Sequence, residues 1–400
     1  MSIAAVMLGL LVAGSVSVPQ DEAKPKAVSA TARLRDGSRR EVDATAWSPA
    51  SALEAGFLVL DVRAGSPPTA EGLPMQRVTV ELVGGERLIG VVEKGRGDDL
   101  ELRLNPSVAA NVNVDALVSL VFTSRVAAGD AALLGPAASG DRLYRIVGGR
   151  VERVDGTFES FAADGVAFES VLGRNVFPWS DVLALFVEGA EAPRADAPPP
   201  ASVCLELSDG SRLFGTWTAS TLRGLEFERG GSRATIAWPW IDEVSLRSND
   251  FAFLSSLAPA KVEAPSPFGD ELGFTYAPRF DRAVDGSPLV AAGRTWHRGL
   301  GVHAPTRLVW QLDGGWKQLC GAAAIDDQVL RLPSHGSVRF RIRVDGQLAW
   351  ESPLVRGGES PLEWPAIELT GARELALEVD PTEDLHVADR ADWLAPYLVR

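Results

Sequence analysis

An all-β chain is predicted, on three observations. Apolar and polar residues alternate with period 2 over most of the sequence, Gly-Gly and Asp-Gly pairs punctuate the alternating runs, and no long helical periodicity appears. The 400 residues are too many for one ordinary core and imply several domains. A hydrophobic fraction of 46% with 23% charged residues is that of a folded protein and not of a disordered chain. The net charge of −14 argues against nucleic acid as a partner, because phosphate binding needs a concentrated basic surface.

From the N-terminus, the apolar stretch Ile3 to Val18 is short for a membrane span and suits a signal-peptide core. Ser15, Val16 and Ser17 supply a small-x-small cleavage pattern, so residues 1–17 are read as a signal peptide and export is expected. No Lys or Arg precedes the apolar run, which departs from the usual pattern. No later segment reads as a membrane helix. Residues 18–30, 191–201 and 258–269 are rich in Pro and Ala and read as semi-extended linkers.

Between the linkers a strand-turn-strand figure recurs. Val78, Val80 and Leu82 alternate with Thr79 and Glu81, Gly84-Gly85 turns the chain, and Leu88, Ile89 and Val91 resume the pattern. Copies lie at Tyr144 to Gly149 and Val203 to Gly210, with a weaker one at Ala32 to Gly37. Gly149 to Gly210 and Pro178 to Pro239 are both 61 residues apart, while Gly85 to Gly149 and Phe122 to Phe186 are both 64. Two landmarks in register per pair point to a repeat. The units are expected at about 31–62, 76–124 and 142–188 within a region 31–190, with a further one at 202–250. Each has the size of a small SH3-like or Sm-like barrel, or a slice of one continuous sheet stack. Val126 to Ala138 is rich enough in Ala for a short helix, weakened by its glycines. Acidic residues here alternate with apolar ones and read as solvent-facing, and Trp179 and Trp240, each after a Pro, read as core plugs. The repeats are expected to serve as a spacer or as a platform for protein partners.

Two cysteines, Cys204 and Cys320, fall in separate units and read as small buried residues. With two Cys and four His, zinc-finger and Cys-based redox sites are excluded by count.

After residue 270 aromatics become frequent, with six of the eleven tryptophans in this last third. Val338, Phe340, Ile342 and Val344 point one way and Arg339, Arg341 and Arg343 the other, a sandwich strand with one dry face. Asp345-Gly346 turns it into Gln347 to Glu351. The order of landmarks here is Gly293, Trp296 to Ala304, Leu308 to Leu312, Ala324 to Asp327, Ser337 to Gly346, Leu375 to Val379 and Ala388 to Trp393. This order resembles the NPCBM family, the carbohydrate-binding modules associated with family 98 glycosyl hydrolases, over residues 270–400. Ala323-Ala324 stands where that family shows Val-Gly, and Arg390 where it often has His.

The resemblance implies a jelly-roll β-sandwich of the galactose-binding-like kind, a structural calcium ion, and glycan or polysaccharide as the partner. Sugar sites need an aromatic face and convergent polar groups. Trp296, His297, His303, Asp392 and Trp393, expected in loops, are the carbohydrate-binding candidates. For His303 and Trp393 a core position is the stronger competing reading. Asp326 and Asp327 are the metal-ligand candidates, with capping as the competing role.

No catalytic residue is expected. A Gly-x-Ser-x-Gly elbow is absent, every histidine lies in the last third, and the repeats are small for a glycosidase domain. The chain therefore reads as an exported, non-catalytic carbohydrate-binding protein. A cell-surface assembly protein whose sandwich makes protein contacts is the alternative, with a glycoside-active enzyme third.

Overall fold

A computed structural model describes residues 27–62, 77–105, 108–127, 130–171, 173–189, 201–266, 275–382 and 386–400. The signal-peptide reading and the linker at 191–200 lie outside these residues. No helix among the described residues is long and apolar enough to cross a membrane.

The repeat region forms one antiparallel sheet of 18 strands folded into four units. Unit 2 runs Arg77–Leu82, Arg87–Arg96, Asp99–Asn105, Val108–Asn113 and Leu117–Val121. Unit 3 runs Asp141–Val147, Arg150–Ala162, Gly165–Ser170, Gly173–Pro178 and Val182–Phe186. Unit 4 runs Ser202–Leu207, Arg212–Ser220, Gly224–Arg229, Ser232–Ala237 and Ile241–Leu246. In each, the first strand pairs with both the second and the last, and the others follow as a meander. The Gly-Gly turns at 84–85 and 148–149 hold φ between +57° and +88°, conformations that would strain any residue with a Cβ.

Among the described residues unit 1 has three strands, Ser29–Leu34, Arg39–Asp43 and Phe57–Val62. A six-residue helix, Pro49–Glu54, stands between the second and the third. It is capped reciprocally by Ser48 and Ser51, with Pro49 at its first turn. The units pair through their last strands, 2 with 3 (Leu120 opposite Leu185) and 1 with 4 (Leu60 opposite Val244). The stretch expected as a short helix contains a 3-10 turn, Asp130–Leu133. Trp238 and Trp240 are buried, and Trp179 packs against Phe122 and Phe161.

The C-terminal part is a β-sandwich of two antiparallel sheets. One holds Gly299–His303, Arg390–Val399 and Gln318–Ile325 at its centre, and the other Thr306–Gln311, Glu374–Pro381, Ser337–Val344 and Gln347–Glu351. Val338, Phe340 and Ile342 are fully buried between them, while Arg339, Arg341 and Arg343 pair outside with Glu351, Asp380 and Glu378. Asp345 and Gly346 turn the hairpin at φ +48° and +77°.

The sandwich starts earlier than the sequence suggested. Phe251–Phe253 pairs with Arg390–Val399, and Lys261–Glu263, inside the Pro-rich stretch read as a linker, pairs with Thr306–Gln311. Its prolines flank that short edge strand and leave its ladder donors intact. Phe251, Phe253, Tyr397 and Val399 also join the core of the repeats, so one apolar core passes from repeats to sandwich.

Candidate functional site

The site residues picked from sequence fall in three places. Trp393 is in the core, 0% exposed, edge-on to Phe340 at 4.9 Å and to Trp364 at 5.5 Å. It lies on the strand Arg390–Val399 and not in a loop, so it offers no face to a sugar. Asp392, on the other side of that strand, is buried too. Burial, then the charge of Asp326, holds its carboxyl well above the usual carboxylate range. It is sealed off from any ligand.

The second place is the end of the sandwich beneath the hairpin Leu289–Ala291 and Arg294–Trp296. Asp326, 0% exposed, accepts from the backbone N–H of Val290 at 3.0 Å and of Gln328 at 2.8 Å, capping the 3-10 turn Asp327–Arg331. Asp327 accepts from Ala292 N at 3.2 Å and Gly293 N at 2.7 Å. Both carboxylates thus help to fix the hairpin. Calcium takes six to eight oxygens, and among the described residues no group of three or more His, Cys, Asp or Glu side chains could hold a metal ion. His303 is also buried, at the end of the strand Gly299–His303. Its Nδ1 donates to the Ala304 carbonyl at 2.7 Å and its ring stacks on Tyr276 at 4.0 Å. Burial lowers its pKa, so it is a neutral packing histidine.

The third place brings Trp296 and His297 against the repeats. Across the paired units 4 and 1, Arg212, Glu206, Glu243 and Asp61 stand directly opposite one another on successive strands. This row was expected to face solvent. It is buried instead, because the segment Arg294 to Arg298 lies over it. Arg298 Nε lies 3.1 Å from Glu206, whose Oε1 also takes Arg212 Nε at 2.5 Å. Asp281 bridges the same two guanidiniums at 3.0 and 3.3 Å. Asp61 takes Arg33 at 2.9 Å and Arg294 at 2.6 Å. His297 Nε2 lies 2.9 Å from Asp242 and its Nδ1 3.9 Å from Glu206. Burial opposes the imidazolium, but the Asp242 hydrogen bond and the Glu206 charge outweigh it and raise its pKa.

Glu243 is the acid left without a cation. Burial, then the charge of Asp61, pushes its carboxyl up to about 7. Its Oε1 has no hydrogen-bond partner, as suits a neutral acid. The sign of the pH dependence follows. Glu243 favours the folded state at low pH, and that contribution is lost as pH rises from about 4.5 to about 7. His297 acts the same way above about 6.5. Asp61 and Asp281, held below the usual range by their arginines against the cost of burial, lose their contribution as pH falls below about 3.8. Thermal melts should therefore give the highest Tm near pH 4 to 5 and a fall toward pH 8, which Glu243→Gln flattens. A Tm that climbs steadily from pH 5 to 8 would refute this assignment.

Two cavities flank His297 and share Asp242 and Thr295. One, of about 400 Å³, is lined by Trp296, Arg282, Arg87 and Asp209, and the other, of about 540 Å³, by Asp61 and Arg294. Trp296 is half-buried, with Arg294 over its ring at 4.5 Å and a buried indole N–H that has no partner among the described residues. An aromatic side chain, carboxylates and guanidiniums converge there, a composition suited to a hydroxyl-rich ligand. Asp61, Asp242 and Arg87 were not singled out from sequence, since each sits in an ordinary alternating strand and nothing local marks it as covered by another domain.

Residues 263–399 match the family model of the NPCBM/NEW2 domain. No curated protein matches the chain. Among solved structures, a CBM51 module of Clostridium perfringens GH95 in complex with methyl-galactose is 18% identical, with 37% of this chain and 99% of that one covered at a TM-score of 0.33. The CBM51-2 (with GlcNAc) and INT domains of C. perfringens ZmpB give 18% identity over 59% and 43% at 0.34. The tandem CBM51 modules of Sp3GH98 from Streptococcus pneumoniae give 12% over 92% and 87% at 0.31. At such TM-scores these superpositions add nothing to the fold described above.

Proposed function

We propose that this protein, whose residues 263–399 form an NPCBM/NEW2 domain, is a non-catalytic carbohydrate-binding protein that seats its glycan in the cleft between that domain and the repeats. The observation that carries the placement is Trp296. Of the two tryptophans singled out as sugar platforms, it alone borders a cavity, while Trp393 is sealed in the core. His297 and Asp242 supply charged hydrogen-bonding partners beside it.

The non-catalytic reading is supported by the buried acid pair beneath the segment Arg294 to Arg298. A glycosidase holds a protonated and an ionised carboxyl on either side of a sugar bond. Here the raised acid, Glu243, and the ionised one, Asp61, are cross-strand neighbours, both covered by the domain above them. No room for a glycosidic bond separates them. Export belongs to the same proposal, on the strength of the apolar Ile3 to Val18 stretch, and is checked by the N-terminus of protein recovered outside the cytoplasm.

A glycan array followed by titration tests the binding. Hexoses and N-acetylhexosamines are the first probes, being the sugars bound in the solved CBM51 complexes. Trp296→Ala should weaken the preferred sugar at least tenfold, about 1.4 kcal/mol. Asp242→Asn, in the repeats and outside the matched domain, should weaken it several-fold in protein that is still folded at the titration temperature. A flat array, or a preference that neither substitution touches, would overturn the placement and favour the assembly role.

A further inference from the structure

The junction holds a second cavity, on the far side of the ion network from Trp296. It measures about 490 Å³ and is bounded by the Gly84-Gly85 turn of unit 2, by Phe214 and Ser245 of unit 4, by Phe251 and Phe253, and by Arg298 of the sandwich. Three guanidiniums line it, those of Arg212, Arg247 and Arg298, against one lining carboxylate, Asp281.

Charge accounting isolates one of the three. Arg212 and Arg298 are neutralised by Glu206 and Asp281, two cations against two anions. Arg247 has no ion pair among the described residues. Glu86, the acid whose field reaches it, is held bidentately by Arg229 at 2.8 and 2.9 Å. The Arg247 guanidinium instead stacks on the Phe214 ring at 4.0 Å, which fixes its plane and leaves its N–H edge for a partner. Burial lowers its pKa, as expected for a cation held without a counter-charge.

We propose that this cavity binds an acidic sugar, a hexuronic acid whose carboxylate is taken by Arg247. One surplus positive charge matches one carboxylate, and a planar guanidinium pairs with it through two parallel hydrogen bonds. The volume is far larger than a bare inorganic anion needs and lies in the range of small-molecule sites. Ser245, Ser248 and Asn249 offer hydroxyl and amide partners for a sugar ring, and Phe251 and Phe253 an apolar wall for its C–H face. This site is independent of the Trp296 cleft, and either can fail alone.

The test is calorimetric titration of the full chain with glucuronate, galacturonate, glucose, galactose and acetate at low and at 0.5 M salt. The uronates should bind, the neutral hexoses at least tenfold more weakly at this site, and salt should weaken the uronates. Arg247→Gln should cost uronate affinity at least tenfold with Tm unchanged, Arg247→Lys should keep part of it, and Trp296→Ala should leave it intact. A uronate-ended oligosaccharide that binds as well as the free acid assigns the site to polysaccharide ends. Binding of the free acid alone assigns it to a small solute. Absence of uronate binding, affinity indifferent to Arg247→Gln in a folded protein, or acetate binding as tightly as the uronates would overturn the proposal.

Discussion

Trp393→Ala should lower the melting temperature of the C-terminal sandwich by on the order of 10 °C or more. The side chain is fully enclosed and packs edge-on against Phe340 and Trp364, which line the same core. Removing it costs the transfer free energy of a large aromatic and leaves a cavity that a rigid double sheet collapses onto only partly. Such truncations destabilise by about 3–5 kcal/mol, and about 2–4 °C of Tm is lost per kcal/mol in a unit of this size. Calorimetry and near-ultraviolet circular dichroism would read the loss. Sugar binding should vanish only at temperatures where the sandwich has melted. A variant that melts like the parent yet loses its glycan would place Trp393 at the ligand and refute the core assignment.

Glu206→Gln should have an effect of similar size by a different route. Glu206 is 2% exposed and faces two guanidiniums, Arg212 and Arg298, with Asp281 as the other carboxylate. Loss of its charge leaves a net buried cation between repeats and sandwich, and breaking such a network from one side costs about 3–5 kcal/mol. The double variant Glu206→Gln with Arg298→Gln leaves the balanced pair Arg212 and Asp281. It should therefore be less destabilised than the sum of the two single variants, by about 1 kcal/mol or more. Calorimetric scans of the four proteins complete the cycle. Strict additivity would mean that the residues are not coupled and that the network does not join the two parts.

Much of the local structure was legible. The turn pairs Gly84-Gly85, Gly148-Gly149 and Asp345-Gly346 declare themselves because their positive-φ backbone conformation favours Gly, and after it Asp or Asn, over other residues. Val338, Phe340 and Ile342 declare their inward face by alternation alone. The NPCBM resemblance was carried by landmarks that the family match then covered. The site was legible only in part. Trp296 and Trp393 look alike in sequence, each beside a polar residue near Gly or Ala. Trp393 is inside because Arg390–Val399 is the central strand of its sheet, paired on both sides. Asp326 and Asp327 looked like oxygen donors for a cation, and their bonds to a hairpin some 35 residues earlier in the chain were not legible in sequence.

The chain by itself determined which residues share a face, because a strand's side chains alternate whatever surrounds it. It determined the hairpins, the all-β class and the family of the last third. Only the tertiary structure decided what covers each face. Glu206, Glu243 and Asp61 alternate with apolar neighbours as any solvated acids would, yet the sandwich sets Arg298, His297 and Arg294 on top of them. The physical reason is that period 2 records the pleat of one strand, whereas burial of its polar side depends on a surface contributed by residues far away in the chain.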